Sequence, residues 1–167
     1  MTEMRRLMDL MDTVANDPIT ESTLAEGRYN GTALLYHSSD PSSALLIISS
    51  GNIEPRTTAT IDGHKVKGVS LTRSRWFAIA YNSVIFGFEE QMVRRSYRGK
   101  LVPYVDSSLD VIPEVNADWR REAEEFLTAP LPLTSLVAVW ISSSPPYALS
   151  RTERHVIETH PLYAGIL

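Results

Sequence analysis

The residues of this chain with chemistry to offer lie in separate segments. They are His37, in Leu35-Tyr36-His37-Ser38-Ser39; Ser70 and Thr72, in Gly68-Val69-Ser70-Leu71-Thr72; Tyr81, after Trp76-Phe77-Ala78; and Glu124-Glu125, directly before Phe126-Leu127. Together they suit cleavage of a bond between the anomeric carbon of a sugar and a nitrogen base, which passes through a transition state of oxocarbenium character. That chemistry asks for a polar group at a strand end to fix one ribose and an aromatic ring to stack on the departing base. It also asks for a carboxylate beside the sugar carbon where positive charge develops. It does not require a metal.

The elements around these residues must position them. Period-two alternation over residues 33–37 predicts a strand with Ala33, Leu35 and His37 on one face and Leu34 and Tyr36 on the other. Asp40-Pro41 supplies an N-cap and a proline preset for the first helical turn. Ala44, Leu45, Ile47 and Ile48 give that helix a buried face, and Gly51 ends it. Between residues 57 and 72 two alternating segments flank Asp62-Gly63, a dipeptide that favours a two-residue hairpin turn.

Residues 74–80 read as a short helix, 84–88 as a strand with Gly87 at a bulge, and 100–105 as a strand that Pro103 confines to an edge or interrupts. Residues 118–124 have helix-forming composition, and Phe126-Leu127 resumes extended chain. The apolar, β-branched stretch 135–142 reads as a strand covered on both faces. Ser150-Arg151-Thr152-Glu153 is a capping-box pattern ahead of a helix that must stop before Pro161. Near the N-terminus, Met4, Met8, Met11 and Val14 mark an amphipathic helix over residues 3–15, followed by a polar linker. Residues 1–30 are thus read as helix and linker, and residues 31–167 as a single domain. Hairpins mixed with helices favour an α+β architecture over regular βαβ winding.

Composition narrows the function classes. A net charge of -4 gives no general attraction to nucleic acid or anionic membranes. The basic cluster Arg94, Arg95, Arg98 and Lys100 reads as a solvated turn, because only Tyr97 interleaves it with an aromatic. The absence of cysteine excludes disulfides and thiolate chemistry and fits a reducing cytoplasm. No apolar run approaches the roughly 20 residues that span a bilayer, and no secretory signal is expected after Arg5 and Arg6.

In their order, these segments resemble the ADP-ribosyltransferase fold in its His-Tyr-Glu form, shared by diphtheria-type toxins and poly(ADP-ribose) polymerases, with similar small proteins in bacteriophages. Tyr36-His37-Ser38-Ser39 is similar to the family's Tyr-His-Gly-Thr motif, with serine in place of glycine at position 38. The resemblance implies a split β-sandwich of two small sheets with flanking helices, and NAD as substrate. It implies that His37 bonds the adenosine-side ribose, that the backbone at Ser38 meets the nicotinamide amide, and that Tyr81 stacks on the nicotinamide. Ser70 and Thr72 line the same site, and Arg73 meets the diphosphate. Glu125, in Glu125-Phe126-Leu127-Thr128-Ala129-Pro130, matches the family's catalytic glutamate before an apolar strand. Arginine-modifying members carry a second acidic residue two positions earlier, where Ala123 stands; were Glu124 the catalytic residue, Glu122 would restore that pair. The implied activity is mono-ADP-ribosylation of a host or phage macromolecule, a protein acceptor first. The alternative is a non-catalytic phage accessory or virion-associated protein that keeps the fold to bind a nucleotide or partner.

Each residue also has an ordinary structural use. His37 can be a hydrogen-bonded core histidine, Tyr81 an aromatic with a satisfied hydroxyl, and Ser70 and Thr72 polar residues on a solvated sheet face. Glu124 and Glu125 can pair with Arg120 and Arg121 along an exposed helix. The trio His155, Glu158 and His160 lacks the spacing of a zinc helix, because an offset of five splits the histidines across faces.

Overall fold

The computed structural model describes residues 28–61, 63–103 and 124–167. The expected N-terminal helix, the linker up to residue 27, Asp62 of the hairpin turn, the last two residues of the strand expected over 100–105 and most of the helix expected over 118–124 lie outside those residues, while Arg28–Tyr29 of the expected linker form a strand. Over the described residues the chain is mixed α+β and built on three small sheets.

Five strands form the largest sheet, in the order β1 (Arg28–Tyr29), β2 (Thr32–Ser39), β6 (Val84–Glu89), β10 (Leu136–Ile141) and β11 (Tyr163–Ile166). The second sheet has the order β4 (Thr57–Ile61), β5 (His64–Leu71), β8 (Glu125–Leu127) and β7 (Leu101–Pro103). β3 (Asn52–Ile53) pairs with β9 (Leu131–Pro132). One apolar core lies between the two larger sheets. Leu35, Phe86 and Phe88 come to it from the first, and Val69, Leu71 and Leu127 from the second.

The local signals place most of these elements. α1 (Pro41–Ser50) starts where Asp40 accepts the Ser43 N–H at 2.9 Å, and it ends at Gly51, whose φ of 74° only glycine adopts without strain. Its buried face is Pro41, Ala44 and Ile47, while Leu45 and Ile48 are only partly covered. The hairpin forms as β4–β5, closed by the Ile61–His64 pair with Gly63 at φ 77°. α2 (Arg75–Tyr81) is capped by the Ser74 hydroxyl. α4 (Arg151–Glu158) carries both bonds of the Ser150–Glu153 capping box. β10 runs in the middle of its sheet between β6 and β11, and β7 lies at an edge, as Pro103 requires. Among the described residues no helix is long and apolar enough to cross a membrane.

Two expectations need correction. Gly87 is not the extra residue of a bulge. The pairing steps from Leu136–Phe88 to Ala138–Gly87, so the additional residue is Val137 on β10. Gly87 is needed instead for close packing, since a Cβ there would stand 2.7 Å from Cζ3 of Trp140. The basic cluster is also not wholly a turn. Glu90–Ser96 forms helix α3, which contains Arg94 and Arg95, and only the residues after it make the turn. Glu90 and Arg94, four apart and 2.9 Å from each other, bind one turn of α3 to the next.

Gly68 is the glycine on which the second sheet depends. An added Cβ would meet Cβ of Phe126 at 2.9 Å and the Leu127 carbonyl at 3.0 Å, and the carbonyl is backbone that cannot swing aside. Gly68→Ala is therefore expected to destabilise the protein by about 1–3 kcal/mol, the usual cost of overpacking. A denaturant midpoint unchanged in this variant would contradict the close approach of β5 and β8.

Candidate functional site

The two larger sheets meet where β2 and the end of β5 exchange backbone bonds. The Tyr36 N–H donates to the Thr72 carbonyl at 2.7 Å, and the Thr72 N–H donates back at 2.9 Å. That seam carries His37 to Ser70. The imidazole Nδ1–H donates to the Ser70 carbonyl at 2.8 Å, which selects the tautomer and leaves the Nε2 lone pair as an acceptor. Phe86 backs the imidazole at a ring separation of 6.5 Å. Burial lowers the His37 pKa below its ordinary value, with the bond to Ser70 pulling weakly the other way, so the ring is neutral at pH 7.

Ser70 has a second partner, because its hydroxyl donates to a carboxylate oxygen of Glu124. The register explains why Glu124 is chosen and Glu125 is not. Ser70 lies opposite Phe126 and Leu71 opposite Glu125. Side chains alternate along a strand, so Glu124 emerges on the face of Ser70 and Phe126, and Glu125 on the opposite one. Burial raises the Glu124 pKa, and the Ser70 hydrogen bond offsets part of that.

Glu125 is committed elsewhere. The Arg94 guanidinium grips it with two hydrogen bonds, at 3.0 Å to Oε1 and 2.7 Å to Oε2, and its side chain is only 12% exposed. Both oxygens accept from this one guanidinium, whose charge compensates that of the carboxylate. Arg73, expected at a diphosphate, lies 3.2 Å from Glu90 in an ion pair, with its side chain 56% exposed. The buried Thr72 accepts the Ser74 N–H at 3.0 Å and so helps start α2.

α2 is tied to β2 by the Ser38 hydroxyl, which donates to the Ala78 carbonyl. The serine at the family's glycine position therefore spends its polar group on this helix. Tyr81, the last residue of α2, is 55% exposed and stacks on Phe77 with ring centroids 6.2 Å apart.

A cavity of about 240 Å³ opens beside the end of β2. Its walls include His37, Ser38, Asp40, Asn52, Arg56 and Asn82, whereas Ser70, Thr72, Arg73, Tyr81, Glu124 and Glu125 do not line it. This space is below the roughly 300–1,000 Å³ of pockets that enclose a whole drug-sized ligand, and it suits a nucleoside-sized group. The residues expected around a ligand are thus dispersed: His37 and Ser38 at the cavity, Ser70 between His37 and Glu124, Tyr81 at the exposed end of α2, Thr72 at the start of that helix, and Arg73 and Glu125 in ion pairs with Glu90 and Arg94. Arg56 and Asn52 are not singled out by the sequence, and Arg94 stands out there only as a member of the basic cluster. The first two sit in irregular or two-residue segments without periodicity.

Comparison with protein-family models, with curated proteins and with solved structures finds no match.

The buried histidine has a consequence for acid stability. Because its folded pKa is depressed, the unfolded chain takes up a proton that native His37 resists as pH falls below the ordinary 6.5. This contribution is present in full at higher pH and is lost on acidification. His37→Gln is expected to flatten the dependence of unfolding free energy on pH between about 7 and 5, as measured by urea titrations across that range; an unaltered slope would refute it.

Proposed function

We propose that the protein cleaves NAD and transfers its ADP-ribosyl group to a macromolecular acceptor, with Glu124 in the role expected for Glu125. One observation carries this reading: Ser70 bonds His37 through its carbonyl and Glu124 through its hydroxyl, so residues 37, 70 and 124 are joined in one chain of hydrogen bonds.

In the proposed reaction the bond between nicotinamide nitrogen and ribose C1′ breaks, and nicotinamide leaves with the electron pair. The ionised Glu124 carboxylate faces the resulting oxocarbenium-like ribose and stabilises it, as a fixed charge in a site of low polarity does. A nucleophile of the acceptor then bonds to C1′ and releases a proton to solvent. His37 accepts from the adenosine-side ribose at Nε2, the cavity holds the adenosine, the Ser38 backbone meets the nicotinamide amide, and Tyr81 offers its exposed ring to the nicotinamide. Ser70 positions Glu124. Arg73 and Glu125, each held in an ion pair, have no direct part.

A second reading is that the cavity binds a nucleotide without catalysis. The cavity volume of about 240 Å³, below that of pockets enclosing a drug-sized ligand, favours a small group over a whole dinucleotide. Incubating the purified protein with NAD labelled in the adenine and in the nicotinamide, with cell lysate as acceptor, separates the two. Nicotinamide release with label transfer supports the transferase. Retention of intact NAD on the protein, with no nicotinamide release, supports the binder and overturns the proposal.

A further inference from the structure

We infer that Arg94 is a positioning residue for the proposed transfer: its two-pronged grip on Glu125 fixes the start of β8, and thereby holds the adjoining Glu124 against Ser70. This inference rests on the reading of Glu124 given above. β8 has only three residues, and its two ends are secured differently. Just past the far end, the Thr128 N–H and hydroxyl both reach the Lys100 carbonyl, at 3.0 and 3.2 Å. At the near end Glu125 lies between Leu71 of β5 and Pro103 of β7, and because the ladder to β7 bonds Thr128 to Lys100, the Glu125–Pro103 pair exchanges no backbone hydrogen bond. On that side of the strand the guanidinium of Arg94 supplies two charge-assisted bonds to the Glu125 side chain from a neighbouring helix.

Arg94 is itself held. Glu90, one turn earlier in α3, accepts from its Nε at 2.9 Å, and Glu90 in turn pairs with Arg73 just beyond β5. The alternating row Arg73, Glu90, Arg94, Glu125 ties the ends of β5, α3 and β8 together. A planar fork held by one carboxylate and gripping another is restricted in orientation, which a lysine in its place would not be.

The test compares wild type with Arg94→Met, Arg94→Lys, Glu125→Gln and the exchange Arg94→Glu/Glu125→Arg. Two readouts are taken: steady-state NAD cleavage, and the Glu124 carboxyl titration followed by carbon NMR. In Arg94→Met, kcat is expected to fall about tenfold at nearly constant KM for NAD, short of the roughly hundredfold that a 1 Å misplacement costs. Arg94→Lys is expected to lie between, and the exchange to recover most of the loss. The Glu124 titration, raised in wild type, is expected to move towards that of an ordinary glutamate in Arg94→Met. An unmoved titration in folded Arg94→Met or, should that variant not fold, in Arg94→Lys overturns the inference, as does a fall in kcat that the exchange deepens. Wild type unable to cleave NAD would sink the transferase reading alone, and the titration would still decide the role of Arg94.

Discussion

Glu124→Gln is expected to lower NAD cleavage by about 10²–10³-fold, the range seen when one preorganised electrostatic group is removed from a site of developing charge. The amide keeps the shape of the side chain and can still meet Ser70, so folding and KM for NAD are expected to change little; the loss belongs to kcat. Glu125→Gln is expected to lose much less, since that side chain contacts Arg94 and acts through placement. The order of the two variants is therefore diagnostic. If Glu125→Gln is the more damaging, the strand register no longer explains the chemistry and the site must be rebuilt around the Arg94 pair. The acid limb of the rate profile offers an independent check. Cleavage needs Glu124 ionised, and its burial places that limb above the 4.5 of an ordinary glutamate.

Phe86→Ala is expected to destabilise the protein by about 3–5 kcal/mol, as deletion of a wholly buried ring does when the surroundings cannot collapse. Phe86 is fully buried in β6, which runs between β2 and β10, and it packs among residues of both larger sheets. It also backs the His37 ring. Loss of the ring therefore removes core contacts and loosens the imidazole, so ligand affinity is expected to fall along with stability. Denaturant unfolding measures the first effect. A loss under about 1 kcal/mol would mean that the neighbours refill the space, contrary to the observed packing.

How far the sequence could be read depended on how local each signal was. α1 was legible because its cap, its proline and its terminal glycine lie within a dozen residues, and the hairpin because its turn dipeptide and alternation are contiguous. β2 was legible from its alternation, although it extends one residue earlier and two later than residues 33–37. By contrast, β11 carries glycine and only a weak alternation, and it is a strand because β10 pairs with it in parallel. α3 was missed because the apolar run before it and the basic run that begins within it masked a two-turn helix. The choice between Glu124 and Glu125 could not be read locally at all. It turns on which residue of β8 faces Ser70, and a shift of one residue reverses the answer.

That one serine serves two masters has a thermodynamic corollary. Any compound that draws the imidazole of His37 tighter also pulls on the peptide plane whose side chain steadies the acid, so occupancy at one end must bias the geometry at the other. By reciprocity, whatever orders the acid improves the grip of the ring by the same factor.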